Sequence, residues 1–170
     1  MFKDNGSCIS SIEENALEGC QNLQYVDLEK SVIDEIPSNA FSGCTQLTAI
    51  YLPSTLTALL NDCFKGCEYL NESGLSIQNS IKYVGSTGLN KFMNVPEQLE
   101  YIATSAFNDA TFLVDPEYLS ANFSSLTALN EYSFANECNL TSISLPNIAK
   151  IPNRCFYQNA NIVSVDFGEG

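Results

Sequence analysis

Apolar and small residues recur through residues 36–59, IPSNAFSGCTQLTAIYLPSTLTAL, at Ile36, Ala40, Phe41, Cys44, Leu47, Ile50, Leu52 and Leu56, and Leu59 then opens the next copy. The gaps between these positions fit neither one helical period nor strict alternation, so the segment must change conformation within itself. The same pattern restarts at Ile12, Ile36, Leu59, Val84, Ile102, Leu129 and Ile151, in steps of 24, 23, 25, 18, 27 and 22 residues. Self-similarity at this period predicts a solenoid, because a unit this small cannot bury its own apolar face and must stack on its neighbours. Within each copy, the segment typified by Leu47-x-x-Ile50-x-Leu52 alternates and carries β-branched and aromatic residues, which predicts a short strand. Equivalent strands one copy apart must pair in parallel, giving a sheet along one side of the coil. The Ala40-Phe41-x-x-Cys44 segment, preceded by the capping-type residues Ser38 and Asn39, has room for a single helical or 3₁₀ turn.

The seven copies are unequally regular. In the third, Leu75 and Ile77 arrive two residues late, after Asn71–Gly74, which predicts a small loop or bulge. The fourth fits at Val84, Gly88, Leu89, Phe92 and Val95, but Pro96 then leads directly to Leu99, so its strand is expected to be missing or distorted. The fifth carries an insertion around VDPEYLSANFSS, and its strand is expected within Tyr118–Phe123. Across the shortened fourth copy, Ile81-Lys82-Tyr83-Val84 aligns with Leu99-Glu100-Tyr101-Ile102, which predicts Lys82 beside Glu100 and Tyr83 over Tyr101. Because the chain enters in mid-coil near Cys8 and stops at FGEG with an apolar face uncovered, residues 1–170 read as one solenoid, an uncapped segment of a longer array.

Composition narrows the function. A 45% hydrophobic content suffices for a continuous core, and a formal charge of −13 repels phosphate backbones and anionic headgroups, so neither nucleic acid nor a lipid surface is an expected partner. No apolar run approaches the length that crosses a bilayer, and MFKDNGSC lacks the apolar centre of a signal peptide. With no histidine, the usual general base and the commonest metal ligand are both absent. Cys20, Cys44 and Cys67 share one repeat position, Cys63 and Cys155 another, and Cys8 and Cys138 lie elsewhere; with no C-x-x-C they read as buried free thiols rather than as metal ligands. Phe41, Phe64, Phe107, Phe134 and Phe156, with Leu17 and Leu89, keep a constant offset from the opening position and read as core that stacks from coil to coil. The acidic clusters lack the spacing and glycine turn of a calcium loop. The four sequons at Asn5, Asn71, Asn122 and Asn139 are close to the number that chance gives in a chain so rich in Asn, Ser and Thr.

The pattern I-x-x-x-A-F-x-x-C-x-x-L-x-x-I-x-L-P, clearest in Ile36–Pro53 and again in Leu129–Pro146, resembles the BspA-like class of leucine-rich repeats. The resemblance implies an α/β right-handed leucine-rich-repeat solenoid of about seven repeats, each of about 23 residues, with a parallel concave sheet and short helical or 3₁₀ turns elsewhere in each coil. It also implies proteins that are displayed at the cell surface or secreted, where they adhere or bind partners. It encodes a scaffold rather than an activity.

On such a scaffold, strand side chains that alternate away from the core form a concave row: Tyr25, Asp27, Glu29, Tyr51, Ser76, Ser142, Ser144, Ser164 and Asp166. Partner binding is expected from Tyr25, Asp27, Glu29, Tyr51, Ser76, Ser144 and Asp166, with the two tyrosines supplying amphipathic area at low entropic cost. The expectation is a binding module without catalysis, metal or cofactor, whose partner is a protein or glycan macromolecule. The competing expectation is a spacer or assembly-forming array that makes end-to-end contacts.

Overall fold

In the computed structural model the structure describes residues 8–70, 74–75, 80–86, 91–92, 98–106, 111–112, 123–136 and 141–168, with the backbone alone at 91–92 and 111–112. Ten short strands occur among them: β1 (Tyr25–Asp27), β2 (Glu35–Ile36), β3 (Ala49–Tyr51), β4 (Ala58–Leu59), β5 (Tyr83–Val84), β6 (Lys91–Phe92), β7 (Tyr101–Ile102), β8 (Thr111–Phe112), β9 (Ser142–Ser144) and β10 (Ser164–Asp166). Every pairing between them is parallel, as stacking of like on like requires. Partners lie 24 residues apart for Tyr25 and Ala49, 23 for Ile36 and Leu59, 25 for Leu59 and Val84, and 18 for Val84 and Ile102. They lie 27 apart for Tyr101 and Ala128, and 22 for Ser142 and Ser164. The six steps of the hydrophobic pattern are therefore the six registers of the coil, and the short and long copies keep phase. The described residues trace about five turns, slightly fewer than the seven repeats expected.

Two rows of strands run along the solenoid, where one was expected. The first row contains β1 and β3, extended by a bridge from Ile50 to Leu75, and, further along, β9 and β10. The second joins β2, β4, β5 and β7 in one four-stranded sheet and continues through a bridge from Tyr101 to Ala128. Its strands are only two residues long, one outward and one buried, and two residues are too few for alternation to be read in a sequence. The fourth copy does carry paired backbone, since β6 lies against β8, with Phe92 opposite Phe112. That places a strand of the fifth copy at Thr111–Phe112, ahead of the expected segment. Of Tyr118–Phe123 only Phe123 is among the described residues, and it sits in a turn, fully buried.

Between the two rows the chain makes no helix among the described residues, which corrects the expected helical or 3₁₀ turn. In the second copy three four-residue turns overlap: Ala40 N–H donates to Pro37 O (3.2 Å), Ser42 N–H to Asn39 O (3.0 Å) and Cys44 N–H to Phe41 O (3.2 Å). Asn39 and Gly43, each third in its turn, have φ of 56° and 72°. Helical and 3₁₀ residues need negative φ, whereas a type II turn needs positive φ at this place. Ser38 and Asn39 therefore serve a turn rather than cap a helix, because asparagine tolerates the left-handed region. The reversal aims alternate N–H groups at the next coil, where Asn39, Phe41 and Gly43 donate to the carbonyls of Asn61, Cys63 and Lys65 at 3.0, 3.0 and 2.7 Å. The arc is thus a ladder like the strands, and its backbone groups are satisfied.

The core lies inside this closed outline. Ile36, Phe41, Leu47, Leu56, Leu59, Ile81, Leu99, Ile102, Leu126 and Phe134 are fully buried. Phe41 stacks on Phe64 at 5.6 Å, and Phe134 on Phe156 at 5.5 Å, as the constant offset predicts. Phe123 meets Phe134 edge to face at 5.5 Å, while Phe107 lies outside the described residues. Cys44, Cys63 and Cys155 are buried and Cys67 is half-buried. The Cys44 and Cys67 thiols donate to the carbonyls of Leu17 and Phe41, each at 3.2 Å. Cys20 departs from the expectation: it is exposed, as is Cys8, since among the described residues the first coil has a neighbour on one side only. Cys138 and the four sequons lie outside the described residues.

Candidate binding site

Alternation along β1 turns Val26 inward and leaves Tyr25 and Asp27 outward; in β3 it buries Ile50 and leaves Tyr51 outward. The parallel register sets Asp27 directly opposite Tyr51 and Tyr25 opposite Ala49, so the tyrosines are diagonal neighbours across the strand pair. Their rings meet at 5.3 Å with a tilt of 53°, and about half of each side chain remains exposed, 55% for Tyr25 and 44% for Tyr51. Just past the strand, Asp27 Oδ1 accepts the N–H of Glu29 at 3.1 Å, an Asx turn that folds Glu29 back towards the pair. Partial desolvation, then the nearby Asp27, Tyr51 and Glu29, push the Tyr25 hydroxyl above its usual pKa. The four side chains form one outward patch, aromatic at its centre and acidic at its margin.

Ser144 and Asp166 do not join it. Ser144 and Asp166 sit on β9 and β10, a separate two-stranded ladder, where the Ser144 hydroxyl donates to Asp166 Oδ2 at 3.1 Å. Asp166 Oδ1 accepts the N–H of Gly168 at 2.9 Å, repeating the turn made by Asp27. Ser76 lies outside the described residues.

Two further features stand on the surface. On the second row, Tyr83 and Tyr101 stack at 5.2 Å with ring planes 9° apart, and Lys82 pairs with Glu100 at 2.9 Å, the neighbours that the shortened copy predicts. On the arc, Arg154 lies between two tyrosines. Its Nη1 donates to the Tyr132 hydroxyl at 2.5 Å, and its guanidinium carbon is 5.8 Å from the Tyr132 ring centre and 5.5 Å from that of Tyr157. That hydrogen bond, with the Tyr132 charge interaction next, holds the Arg154 pKa above its ordinary value. Sequence reading passed over this cluster, yet a signal was present. Tyr132 and Arg154 stand three places after the opening residues Leu129 and Ile151, where other copies have Asn15, Asn39, Asp62 and Ser105. Among the described residues no group of three His, Cys, Asp or Glu side chains converges as a metal site would need, and no helix is long and apolar enough to cross a membrane.

Comparison with known proteins agrees with this architecture. The family model for the BspA type leucine-rich repeat region matches residues 4–114 and 87–170, in six copies. No curated protein matches the chain. A crystal structure of a leucine-rich repeat protein from Bacteroides ovatus superposes with a TM-score of 0.66 at 21% identity, covering 94% of this chain and 41% of the other. The leucine-rich repeat protein of T. pallidum gives 0.58, also at 21% identity, covering 96% and 65%. At such identities the likeness shows the fold alone, and this chain spans less than two thirds of either protein.

Proposed function

Because the chain belongs to the BspA type leucine-rich repeat family, we propose that it is a non-enzymatic binding module, displayed at a cell surface or secreted, which holds a protein partner on the outward patch of Tyr25, Asp27, Glu29 and Tyr51. The observation that supports this reading is the tilted tyrosine pair, two large rings in contact at 5.3 Å and yet about half exposed. Paired tyrosines lose little rotamer entropy on binding, and each offers apolar area with a hydrogen-bonding tip. The acidic margin and the overall charge of −13 favour a basic or neutral partner surface, and a basic one associates more slowly as salt rises. A sheet face of this kind suits a macromolecule better than an enclosed small ligand.

The test is capture of surface or matrix proteins on immobilised chain, followed by titration of the captured partner. Changing Tyr25 and Tyr51 together to Ala should weaken binding at least a hundredfold while leaving the denaturation midpoint close to native, since both rings lie outside the core. Unchanged affinity in that double variant sinks the assignment. A second reading, a spacer without a ligand face, is supported by Asp27 and Asp166, which use the same carboxylate oxygen to close equivalent turns at opposite ends of the first row. It predicts that no captured protein responds to the tyrosine substitutions.

A further inference from the structure

The cluster of Tyr132, Arg154 and Tyr157 lies on the turn arc, away from both strand rows, and the first-row patch does not account for it. Three observations set it apart from a routine contact between coils. The first is backbone conformation: Tyr132 and Arg154 have φ of 58° and 56°. The left-handed region costs an ordinary L-residue roughly 1–2 kcal/mol and suits Asn, Asp or Gly. Four other copies fill this place with Asn15, Asn39, Asp62 and Ser105, so the turn itself calls for nothing large. Bulky side chains held in such a conformation at two successive copies point to a role other than the turn.

The second observation is charge. Arg154 is the only arginine in a chain of net charge −13. Glu131 lies near enough to raise its pKa, yet among the described residues no carboxylate pairs with it at ion-pair distance. The third is preorganisation. A guanidinium has five N–H donors, and one of them is used on the Tyr132 hydroxyl. The Tyr132 and Tyr157 rings, 6.1 Å apart and nearly perpendicular, flank it and fix its plane. Rotamer entropy that a free arginine would lose on binding is already spent in holding this one. What remains is a planar donor fork, exposed at its outer edge and bordered by aromatic surface, the arrangement that accepts a carboxylate through two parallel hydrogen bonds.

We propose that Tyr132, Arg154 and Tyr157 form a second binding site, which receives a glutamate or aspartate side chain of a partner protein, with an apolar neighbour of that residue resting on Tyr157. Charge complementarity selects this occupant, since the site presents the chain's one guanidinium on an acidic molecule. A single carboxylate gains the contact, whereas a polyanion is repelled by the rest of the chain. The site is independent of the Tyr25 and Tyr51 patch and stands or falls separately.

A sole arginine gives one side-chain Nε–H signal in a nitrogen-15 NMR spectrum, so occupancy can be read without interference. The native chain is titrated with a capped tetrapeptide that carries one glutamate beside a phenylalanine, with the same peptide carrying glutamine, and with sodium glucuronate. The glutamate peptide is expected to displace the Nε–H proton downfield to saturation at millimolar concentration, and the glutamine peptide to leave it in place. In the Tyr132→Phe variant, which lacks the hydroxyl that holds the fork, half-saturation should need at least threefold more peptide. In the variant with Tyr25 and Tyr51 both changed to Ala it should not change. A signal indifferent to the glutamate peptide overturns the proposal. So does equal displacement by the glutamine peptide, or a response to glucuronate alone, which would assign the site to acidic sugars instead.

Discussion

Gly85 tests the inter-coil geometry directly, because its side-chain position is filled by backbone. A Cβ placed there would lie 2.5 Å from the amide nitrogen of Asn61, 2.6 Å from the carbonyl carbon of Leu60 and 2.7 Å from Asn61 Oδ1. Ordinary van der Waals contacts of a Cβ begin near 3.4 Å, so the two coils would have to separate by close to 1 Å at a place where three contacts fix them. Gly85 N–H donates to Leu59 O at 2.7 Å, Ser86 N–H donates to Asn61 Oδ1 at 2.9 Å, and Val84 pairs with Leu59. Overpacking against movable side chains costs about 1–3 kcal/mol; against fixed backbone, Gly85→Ala should reach the top of that range, roughly 3 kcal/mol. Gly66 is the control. It too is a required glycine, but for its φ of +72°, and an added Cβ there meets nothing nearer than 3.6 Å. Gly66→Ala should therefore cost about 1–2 kcal/mol. Gly66→Asn should recover part of that loss, as Asn136 occupies the corresponding left-handed place of another copy, whereas Gly85→Asn should be no better than Gly85→Ala. Urea denaturation of the four variants at constant m-value measures all of this. If Gly85→Ala proves as stable as the native chain, or if Asn rescues both sites alike, the close approach of these coils is wrong.

The remaining predictions concern the core and the thiols. Phe41→Ala and Phe134→Ala, at fully buried rings, should each cost about 3–5 kcal/mol, and Phe156→Ala, half-buried, clearly less; equal losses at all three by urea denaturation would refute the stacking order. Brief alkylation of the native chain with mass-spectrometric readout should label Cys8 and Cys20 and spare Cys44, Cys63 and Cys155, and protection of Cys20 would refute its exposed position. Burial, and next the neighbouring Cys44, push the Cys67 thiol from 9.0 up to about 12, and burial raises Cys44 and Cys63 likewise. A folded pKa above the unfolded one means that the folded state keeps its protons longer, so this stability is complete below pH 9 and is lost as pH rises towards 12. Denaturation midpoints that stay level across that window would contradict the burial of the thiols.

The fold was legible because a repeat states its register many times. Ile36, Leu59, Val84 and Ile102 are each ordinary apolar residues, but their spacing fixed the pairing of β2, β4, β5 and β7 and, through it, the contacts of Tyr83 with Tyr101 and Lys82 with Glu100. What escaped was local. Ser38 and Asn39 before Ala40 carry the same composition whether they cap a helix or close a type II turn, and only the sign of φ at Asn39 separates the two. The second sheet escaped because two residues cannot display a period. Exposure of Cys20 escaped because it depends on what stacks above a coil, which the pattern inside that coil does not contain.

Function is harder to read than fold for a related reason. Core positions must be alike from copy to copy, so each confirms the others, but outward positions are free to differ and a single copy has no echo. Tyr25 and Tyr51 could be foreseen as a pair only because they fall two places apart in the template of adjacent copies, which made them diagonal neighbours once the register was known. Tyr132 and Arg154 carried a stronger signal of another kind. They depart from the template at a position where the backbone penalises departure. In a repeat protein a costly exception to the consensus at an exposed site is better evidence of selection for binding than any residue that obeys it, since a structural contact could have been made with the asparagine that the turn prefers. The first-row patch therefore rests on exposure and chemistry alone. The arc cluster rests in addition on strain retained in two successive coils, and it is the more exacting of the two sites to test.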